Sequence, residues 1–166
     1  MNNAKIERSY MENKSFEFHT VPLIRVEWGG AGRLAELLAE KFAQRNILIV
    51  TDPGLVKAGL IEPIVSNLRA NGYSVAIFDA VVADPPEDVV LAAVEYGRQV
   101  KPGVILGLGG GSSLDVAKLL AVLLASEQKI TDIYGIGKVQ GTRLPLVQIP
   151  TTAGTGSEVT NISIIT

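Results

Sequence analysis

Residues 103–118 read Gly-Val-Ile-Leu-Gly-Leu-Gly-Gly-Gly-Ser-Ser-Leu-Asp-Val-Ala-Lys, and this stretch decides the fold of the chain around it. The apolar run from Val104 to Leu108 has the length and the β-branched content of a buried parallel strand. Three consecutive glycines follow, and a helix-forming segment opens at Ser112. The pattern therefore predicts a strand, a glycine turn and a helix in succession.

The glycine turn has the properties of a phosphate-binding loop. Glycines let the backbone approach a ligand closely, and the free N–H groups at the start of the next helix point towards it. Ser112 and Ser113 are suited both to cap that helix and to donate hydroxyls to a pyrophosphate. A tight strand-to-helix turn with a serine cap and no ligand is the alternative, and the motif alone leaves both interpretations open.

Strands and helices alternate along the rest of the chain. Further strands are predicted at residues 46–51, 74–78, 144–149 and 158–166, with an edge strand at 16–27. The intervening helices have apolar faces, formed by Leu34, Leu37, Leu38 and Phe42 in the first, by Ile61, Ile64, Val65 and Leu68 in the second, and by Val90, Ala93, Val94 and Gly97 in the third. We therefore predict a Rossmann-like α/β fold, a doubly wound and mainly parallel sheet with helices on both faces, over residues 21–166, after an N-terminal extension at 1–20.

Polar loops follow the predicted strands and should meet at one edge of the sheet. Asp52 follows the strand at 46–51, residues 109–113 follow the organising strand, and the hydroxyl-rich residues 151–157 follow the strand at 144–149. Open α/β sheets bind ligands at the carboxyl ends of their strands. Asp84 also lies in a loop after a strand, and Asp84-Pro-Pro-Glu87 predicts an N-cap with a capping box, ligand contact being secondary.

Composition excludes several classes of function. The net charge is −2 in 166 residues, and no cluster of Lys or Arg forms a surface for nucleic acid. The chain has no cysteine, hence no disulfide and no thiolate metal site. We find no secretory signal and no run of the roughly 18 apolar residues that cross a membrane. A cytoplasmic protein is expected.

The helix after Lys118 is apolar on every side, at Leu119, Leu120, Val122, Leu123 and Leu124. Such a helix is buried on every side, so it should lie between the sheet and another layer. The sequence does not obviously contain that layer. We therefore expect an exposed apolar face that makes the chain a homo-oligomer.

Two common nucleotide motifs do not fit. Gly107-Leu-Gly-Gly-Gly-Ser112 nearly matches the dinucleotide fingerprint, but the acid expected about 20 residues further on corresponds only to Glu127, which is not at a strand end. The acid in the right structural position, Asp52, precedes the loop. A Walker A loop fails because Lys118 lies too far beyond the last glycine.

Two long motifs together resemble the iron-containing (group III) alcohol dehydrogenases. They are Gly109-Gly-Gly-Ser-Ser-Leu-Asp-Val-Ala-Lys118 and Pro150-Thr-Thr-Ala-Gly-Thr-Gly-Ser-Glu-Val-Thr160, supported by Val50-Thr-Asp52 and Asp84-Pro85. The resemblance implies an N-terminal α/β domain that binds NAD(P) and a C-terminal helical domain that holds iron or zinc. This chain is expected to lack the helical domain.

The resemblance also implies roles for individual residues. The cofactor-binding set is Asp52, Asp84, Gly109, Gly110, Gly111, Ser112, Asp115, Lys118, Thr151 and Thr152. Within it, Gly110, Gly111 and Ser112 hold the pyrophosphate, while Thr151 and Thr152 contact the phosphate and ribose side. Asp115 lies towards the nicotinamide, although Asp115 and Lys118 are also spaced for a surface ion pair. Asp52 faces the adenosine ribose, which predicts NAD over NADP.

The family's metal is held by one aspartate and three histidines, and this chain has one histidine, His19. We therefore predict no metal ligand and no catalytic residue in this chain. The predicted function is the NAD-binding domain of a metal-dependent alcohol dehydrogenase, which oxidises a small alcohol to an aldehyde or ketone by hydride transfer to NAD, with the fragment alone inactive. The alternatives are a stand-alone nucleotide-binding or interaction module, and a relative of the glycerol dehydrogenases or dehydroquinate synthases.

Overall fold

Four short apolar segments form one parallel sheet in the computed structural model, which describes residues 20–166. The strands are β1 (Asn46–Val50), β2 (Ser74–Phe78), β3 (Val104–Gly109) and β4 (Leu146–Pro150). Their order across the sheet is β2-β1-β3-β4, and every neighbouring pair is parallel. The two central strands are buried almost throughout, which is why β1 and β3 are nearly continuous apolar runs.

Helices connect the strands. The structure has α1 (Leu34–Ala39), α2 (Pro53–Lys57), α3 (Glu62–Ala70), α4 (Glu87–Val100) and α5 (Gly111–Leu123), with short 3₁₀ helices at Gly30–Arg33 and Ile130–Ile133. None of the helices among residues 20–166 has the length and hydropathy needed to span a bilayer.

Alternating side chains of the strands enter two separate apolar cores. Ile47 and Ile49 of β1 pack on one face of the sheet, in the core that contains Leu34 and Leu68 from α1 and α3. Leu48 belongs to the opposite core, with residues of α4 and α5. Helices therefore cover both faces, and the predicted doubly wound α/β fold is confirmed.

The strand order reverses direction at β1. The chain leaves β1 on one side to form β2, then returns to place β3 on the other side of β1. At such a reversal the loops after the two central strands diverge to opposite faces and leave a crevice beyond their carboxyl ends. The loops that contain Asp52 and Gly110 border this crevice.

The chain itself covers much of the apolar helix α5. The amide of Leu144 donates to the carbonyl oxygen of Ala121 at 2.9 Å, and Ile130, Ile133, Leu144 and Ile165 pack into the core that α5 shares. Residues 130–144 and 160–166 thus supply a layer that the sequence pattern did not reveal. The expected exposed apolar face on α5 is wrong for this reason, while the homo-oligomer stays a prediction.

Several predicted boundaries are wrong. Residues 20–27 contain no strand, and the rest of the predicted edge strand lies outside the described residues. Residues 158–166 are not a strand either, because their polar groups bond to α5 and to residues 84–87 instead of to a sheet edge. Helix α1 ends at Ala39, which leaves Phe42 beyond it, and the short helix α2 was not predicted.

The predicted cap at Asp84 is also wrong. Helix α4 begins at Glu87 behind Pro86, and no side chain caps it. Asp84 instead has a left-handed backbone conformation with φ of 47°, and its carbonyl oxygen accepts from the Thr166 hydroxyl at 3.1 Å. Two consecutive prolines move the helix start beyond Asp84, so its carboxylate cannot reach the first turn as a cap.

Candidate functional site

An open pocket of about 430 Å³ lies in the crevice at the carboxyl ends of β1 and β3. Three loops line it: Asp52-Pro53-Gly54 after β1, Val81-Val82-Ala83 after β2, and Gly110–Ser113 after β3. The predicted convergence of loops at this edge is confirmed for β1 and β3. The structure adds residues 81–83, which sequence reasoning missed; the only signal was an apolar pair just beyond a predicted strand.

The glycine loop, residues 109–111, lies at the pocket and packs closely against residues 113 and 157. At Gly109 the backbone φ is +151°, and a Cβ there would lie 2.7 Å from the Ser113 Oγ. A Cβ on Gly111 would lie 3.2 Å from the Ser157 Oγ. Only glycine fits at 109, because a side chain would meet both backbone strain and a fixed neighbour.

The N-terminus of α5 faces this pocket without a side-chain cap. The helix begins at Gly111, its N-cap is Gly110 in extended conformation, and no side chain accepts from its first amides. The predicted serine cap is therefore wrong. Ser113 is buried and Ser112 is half-buried, and both line the pocket. The leading N–H groups of a 13-residue helix remain available to an anion.

Asp52 lies beside the same pocket and has two different carboxylate oxygens. Its Oδ1 accepts from the amide of Leu55 at 3.1 Å, which caps α2. Its Oδ2 has no hydrogen-bond partner among residues 20–166 and lies 3.4 Å from the position of a Cβ on Gly109. One oxygen thus fixes the side chain, and the other has no partner among the described residues and lies at the pocket.

The residues 151–157, called here the hydroxyl loop, lie next to the glycine loop. The amide of Thr151 donates to the carbonyl oxygen of Gly109 at 2.9 Å, and the Thr152 Oγ1 lies 3.6 Å from the position of a Cβ on Gly110. The Thr155 hydroxyl donates to Glu158 at 2.9 Å. Thr151 and Thr152 are exposed, so they form a flanking wall rather than the lining of the pocket.

Asp115 and Lys118 form an ion pair, as their spacing allows, but the pair is not on the surface. The Lys118 Nζ lies 2.9 Å from the Asp115 Oδ1, and the two side chains are only 12% and 8% exposed. Neither residue lines the pocket. The spacing predicts a surface position for this pair, and that position is wrong. Asp84 does not line the pocket either, since residues 81–83 occupy that position.

One titratable group outside the pocket is perturbed. The Tyr134 hydroxyl donates a hydrogen bond to the Glu87 carboxylate, and this bond, with the nearby negative charge, raises the pKa of Tyr134 above 10.0. This bond joins the segment around Tyr134 to the first turn of α4.

The described residues do not fit a catalytic metal. Residues 20–166 contain no group of three or more His, Cys, Asp or Glu side chains placed to hold an ion. His19 lies outside the described residues.

The sequence from residue 22 to 166 matches the iron-containing alcohol dehydrogenase family. The chain belongs to that family.

Individual family members are similar over nearly the whole chain. The long-chain-alcohol dehydrogenase 1 of Geobacillus thermodenitrificans is 42% identical over 147 residues, which are 87% of this chain and 37% of that protein. The NADH-dependent butanol dehydrogenase A of Thermotoga maritima has a TM-score of 0.82 at 30% identity, over 92% of this chain and 38% of that one. A sulfoacetaldehyde reductase of Bifidobacterium kashiwanohense, solved in complex with NAD+, has a TM-score of 0.80 at 28% identity, over 93% and 40%. The chain spans well under half the length of these relatives.

Proposed function

We propose that this chain is the NAD-binding part of an iron-type alcohol dehydrogenase, which oxidises a small alcohol by hydride transfer to NAD. The observation that carries the proposal is the uncapped N-terminus of α5, which opens into a pocket at the reversal point of a doubly wound sheet. The solved NAD+ complex of a relative that is similar in fold supports the choice of cofactor.

The pyrophosphate is the group that the glycine loop would hold. Amides at the start of α5 point at the pocket, and the aligned peptide dipoles add a partial positive charge of about half an elementary charge there. Gly110 and Gly111 present backbone to the pocket without a Cβ. The Ser112 hydroxyl adds a donor beside them. Thr151 and Thr152 flank the same loop and would contact the ribose and phosphate side.

Asp52 would discriminate between the two nicotinamide cofactors. Its free Oδ2 is an acceptor for the 2′-hydroxyl of the adenosine ribose. A 2′-phosphate at the same position would place negative charge beside a carboxylate. The chain should therefore prefer NADH to NADPH.

The bound nicotinamide would accept the hydride from the alcohol. The chain's own residues contribute position: the α5 amides fix the pyrophosphate, and Asp52 and the hydroxyl loop fix the two sides of the cofactor. By their names, the relatives reported above act on different compounds, among them a long-chain alcohol, butanol and sulfoacetaldehyde. We infer a small alcohol or aldehyde as the substrate class.

Fluorescence titration with NADH, and with NADPH in parallel, tests the proposal. The Asp52→Asn variant keeps an acceptor for the Leu55 amide but removes the charge, so the cap on α2 should survive. We expect the ratio of dissociation constants, NADPH to NADH, to fall about tenfold, or ~1.4 kcal/mol. Asp88→Asn, on an exposed first-turn carboxylate of α4, is the matched control.

Three results are distinguishable. If the wild-type protein binds NADH more tightly than NADPH and Asp52→Asn loses this preference, the result supports both NAD as the cofactor and the role of Asp52. Tight NADH binding with an unchanged ratio removes Asp52 from that role. If wild-type protein binds neither cofactor, the NAD-binding function proposed for this chain is wrong.

A further inference from the structure

Lys118 is bonded to the segment that follows the hydroxyl loop and is paired with Asp115 on its own helix. Its Nζ lies 2.9 Å from the Asp115 Oδ1, donates to the carbonyl oxygen of Thr160 at 3.3 Å, and also donates to that of Ile162. The two carbonyl oxygens take two of the three N–H groups of the ammonium, and the contact with the Asp115 Oδ1 is an ion pair without hydrogen-bond geometry. The Lys118 ammonium is therefore held by residues 115, 160 and 162, and it does not line the pocket.

Asp115 is also hydrogen-bonded to the segment that follows the hydroxyl loop. Its Oδ2 accepts from the amide of Ile164 at 3.0 Å, and its carbonyl oxygen accepts from the Ser163 hydroxyl at 3.2 Å. The residue is 6% exposed and does not line the pocket. Its polar groups face residues 163–164, which pack against α5.

We propose that Asp115 and Lys118 are positioning residues that fix the hydroxyl loop, and that neither binds the cofactor directly. We call the pair and the backbone it holds, residues 160–164, the α5 clasp. The importance of the hydroxyl loop for NAD binding rests on the function proposed above. The restraint that the clasp places on the loop is independent of that function.

The clasp restrains the loop because the loop is tied at its other end as well. The Thr151 amide bonds to Gly109 at 2.9 Å, and nine residues later Thr160 is bonded to Lys118. Between these two points the chain has no helix or strand of its own. A loop whose ends are fixed has fewer conformations to lose when a ligand binds, and preorganisation of this kind raises affinity.

An ion pair makes the clasp sensitive to the loss of either partner. The buried carboxylate and ammonium compensate each other, so removing one leaves the other as an uncompensated charge in a dry environment. Residues 160–164 would then separate from α5, and water would reach that charge. Replacing both partners by neutral groups removes the charge but also removes the bonds to residues 160–164.

The absence of cysteine from the sequence allows a direct measurement of loop order. In a Ser157→Cys background, the alkylation rate of the new thiol reports how often the half-buried position 157 opens away from Gly111. We expect Lys118→Met and Asp115→Asn to raise this rate at least about tenfold. Arg25→Met, which breaks an exposed ion pair with Glu40, is the matched charge control and should leave the rate unchanged.

A second control separates loop order from overall stability. Val94→Ala creates a cavity in the core beside α4 and should lower stability without a specific rise in alkylation at position 157. An alkylation rate that rises as much in Val94→Ala as in Lys118→Met would overturn the clasp. So would an unchanged rate in Lys118→Met.

NADH titration of the same variants, with serine restored at 157, tests direct contact. The positioning role predicts that Lys118→Met weakens NADH binding about tenfold, with Lys118→Arg partly restoring both affinity and slow alkylation. Weaker NADH binding with an unchanged alkylation rate would overturn the proposal, because it would mean that Lys118 contacts the cofactor. If wild type binds no NADH but alkylation rises as expected, the clasp stands and the proposed function fails.

Discussion

The close contact between β3 and α5 should make Gly107→Ala destabilising. A Cβ on Gly107 would lie 2.9 Å from the Cβ of Ala117, 3.3 Å from the Leu114 Cδ2 and 3.5 Å from the Leu114 Cα. The Ala117 methyl has no rotamer through which to escape. Helix α5 must therefore move away from the strand by several tenths of an ångström, and its N-terminus at Gly111 moves with it.

The magnitude follows from two opposing terms. Overpacking a well-filled core costs about 1–3 kcal/mol. Replacing glycine by alanine returns about 0.4–1 kcal/mol through the unfolded chain. We expect a net loss of about 1–2 kcal/mol in the free energy of unfolding. If the function proposed above is correct, the moved amides should also weaken NADH binding.

Gly97→Ala is a matched control with the opposite balance. Its Cβ would come within 2.7 Å of the Leu124 Cδ1, which is the end of a flexible, half-buried side chain. Alanine gains about 1 kcal/mol over glycine in a helix interior. The net change at 97 should therefore be close to zero or stabilising.

Urea unfolding compares the stabilities of the Gly107→Ala and Gly97→Ala variants. A double variant that also shortens Ala117 tests whether the two methyl groups collide. At an m-value of about 2 kcal/mol/M, Gly107→Ala should lower the midpoint by roughly 0.5–1 M. The double variant Gly107→Ala/Ala117→Gly should lose less stability than the sum of its two single changes, because the two methyls no longer meet. A Gly107→Ala protein as stable as wild type, or strict additivity in the double variant, would refute the reasoning.

Two further predictions concern the glycine loop and the tyrosine outside it. Gly109→Ala should cost about 3 kcal/mol in urea unfolding, more than Gly107→Ala, because the φ of +151° adds strain to the contact with Ser113; a smaller loss would contradict this. Tyr134 should be deprotonated at higher pH than an ordinary tyrosine, since the bond to Glu87 raises its pKa, and Glu87→Gln should lower it. The bond's stabilising effect should thus be present below pH 10.0 and be lost as the pH rises through the raised pKa. Ultraviolet titration against Tyr134→Phe measures that pKa, and urea unfolding of the two proteins on either side of it measures the stabilising effect.

Local patterns were sufficient to predict much of the fold. The strand at 74–78 has the predicted bounds, and the buried faces of α3 and α4 contain the predicted residues, for example Ile64 and Val90. These elements repeat their apolar residues with the period of a strand or a helix, and burial against a sheet requires nothing else. Periodicity is a property of neighbouring residues, so one sequence is enough to detect it.

The wrong predictions concern groups whose partners are distant in sequence. The alternating pattern of 158–166 is typical of a strand, but the Ile164 amide pairs with the Asp115 side chain, 49 residues earlier. The spacing of Asp115 and Lys118 allowed an ion pair as the alternative to cofactor contact, but the burial of the pair depends on that same distant segment. Asp84 could have capped a helix by local rules, and its position is instead set by Pro86 and by the bond from Thr166.

The strand order explains why no single motif was sufficient to identify the site. Strand β3 has β1 on one side and β4 on the other, with Val50 opposite Gly107 and Pro150 opposite Gly109. The residues that follow these strands therefore lie beside the glycine loop: Asp52 after β1, and the hydroxyl loop after β4. The glycine turn alone supplies only an anion site, which any phosphate would satisfy. In the function proposed above, selectivity for a particular nucleotide would come from the two neighbours, and both reach the glycine loop through the order of strands in the sheet.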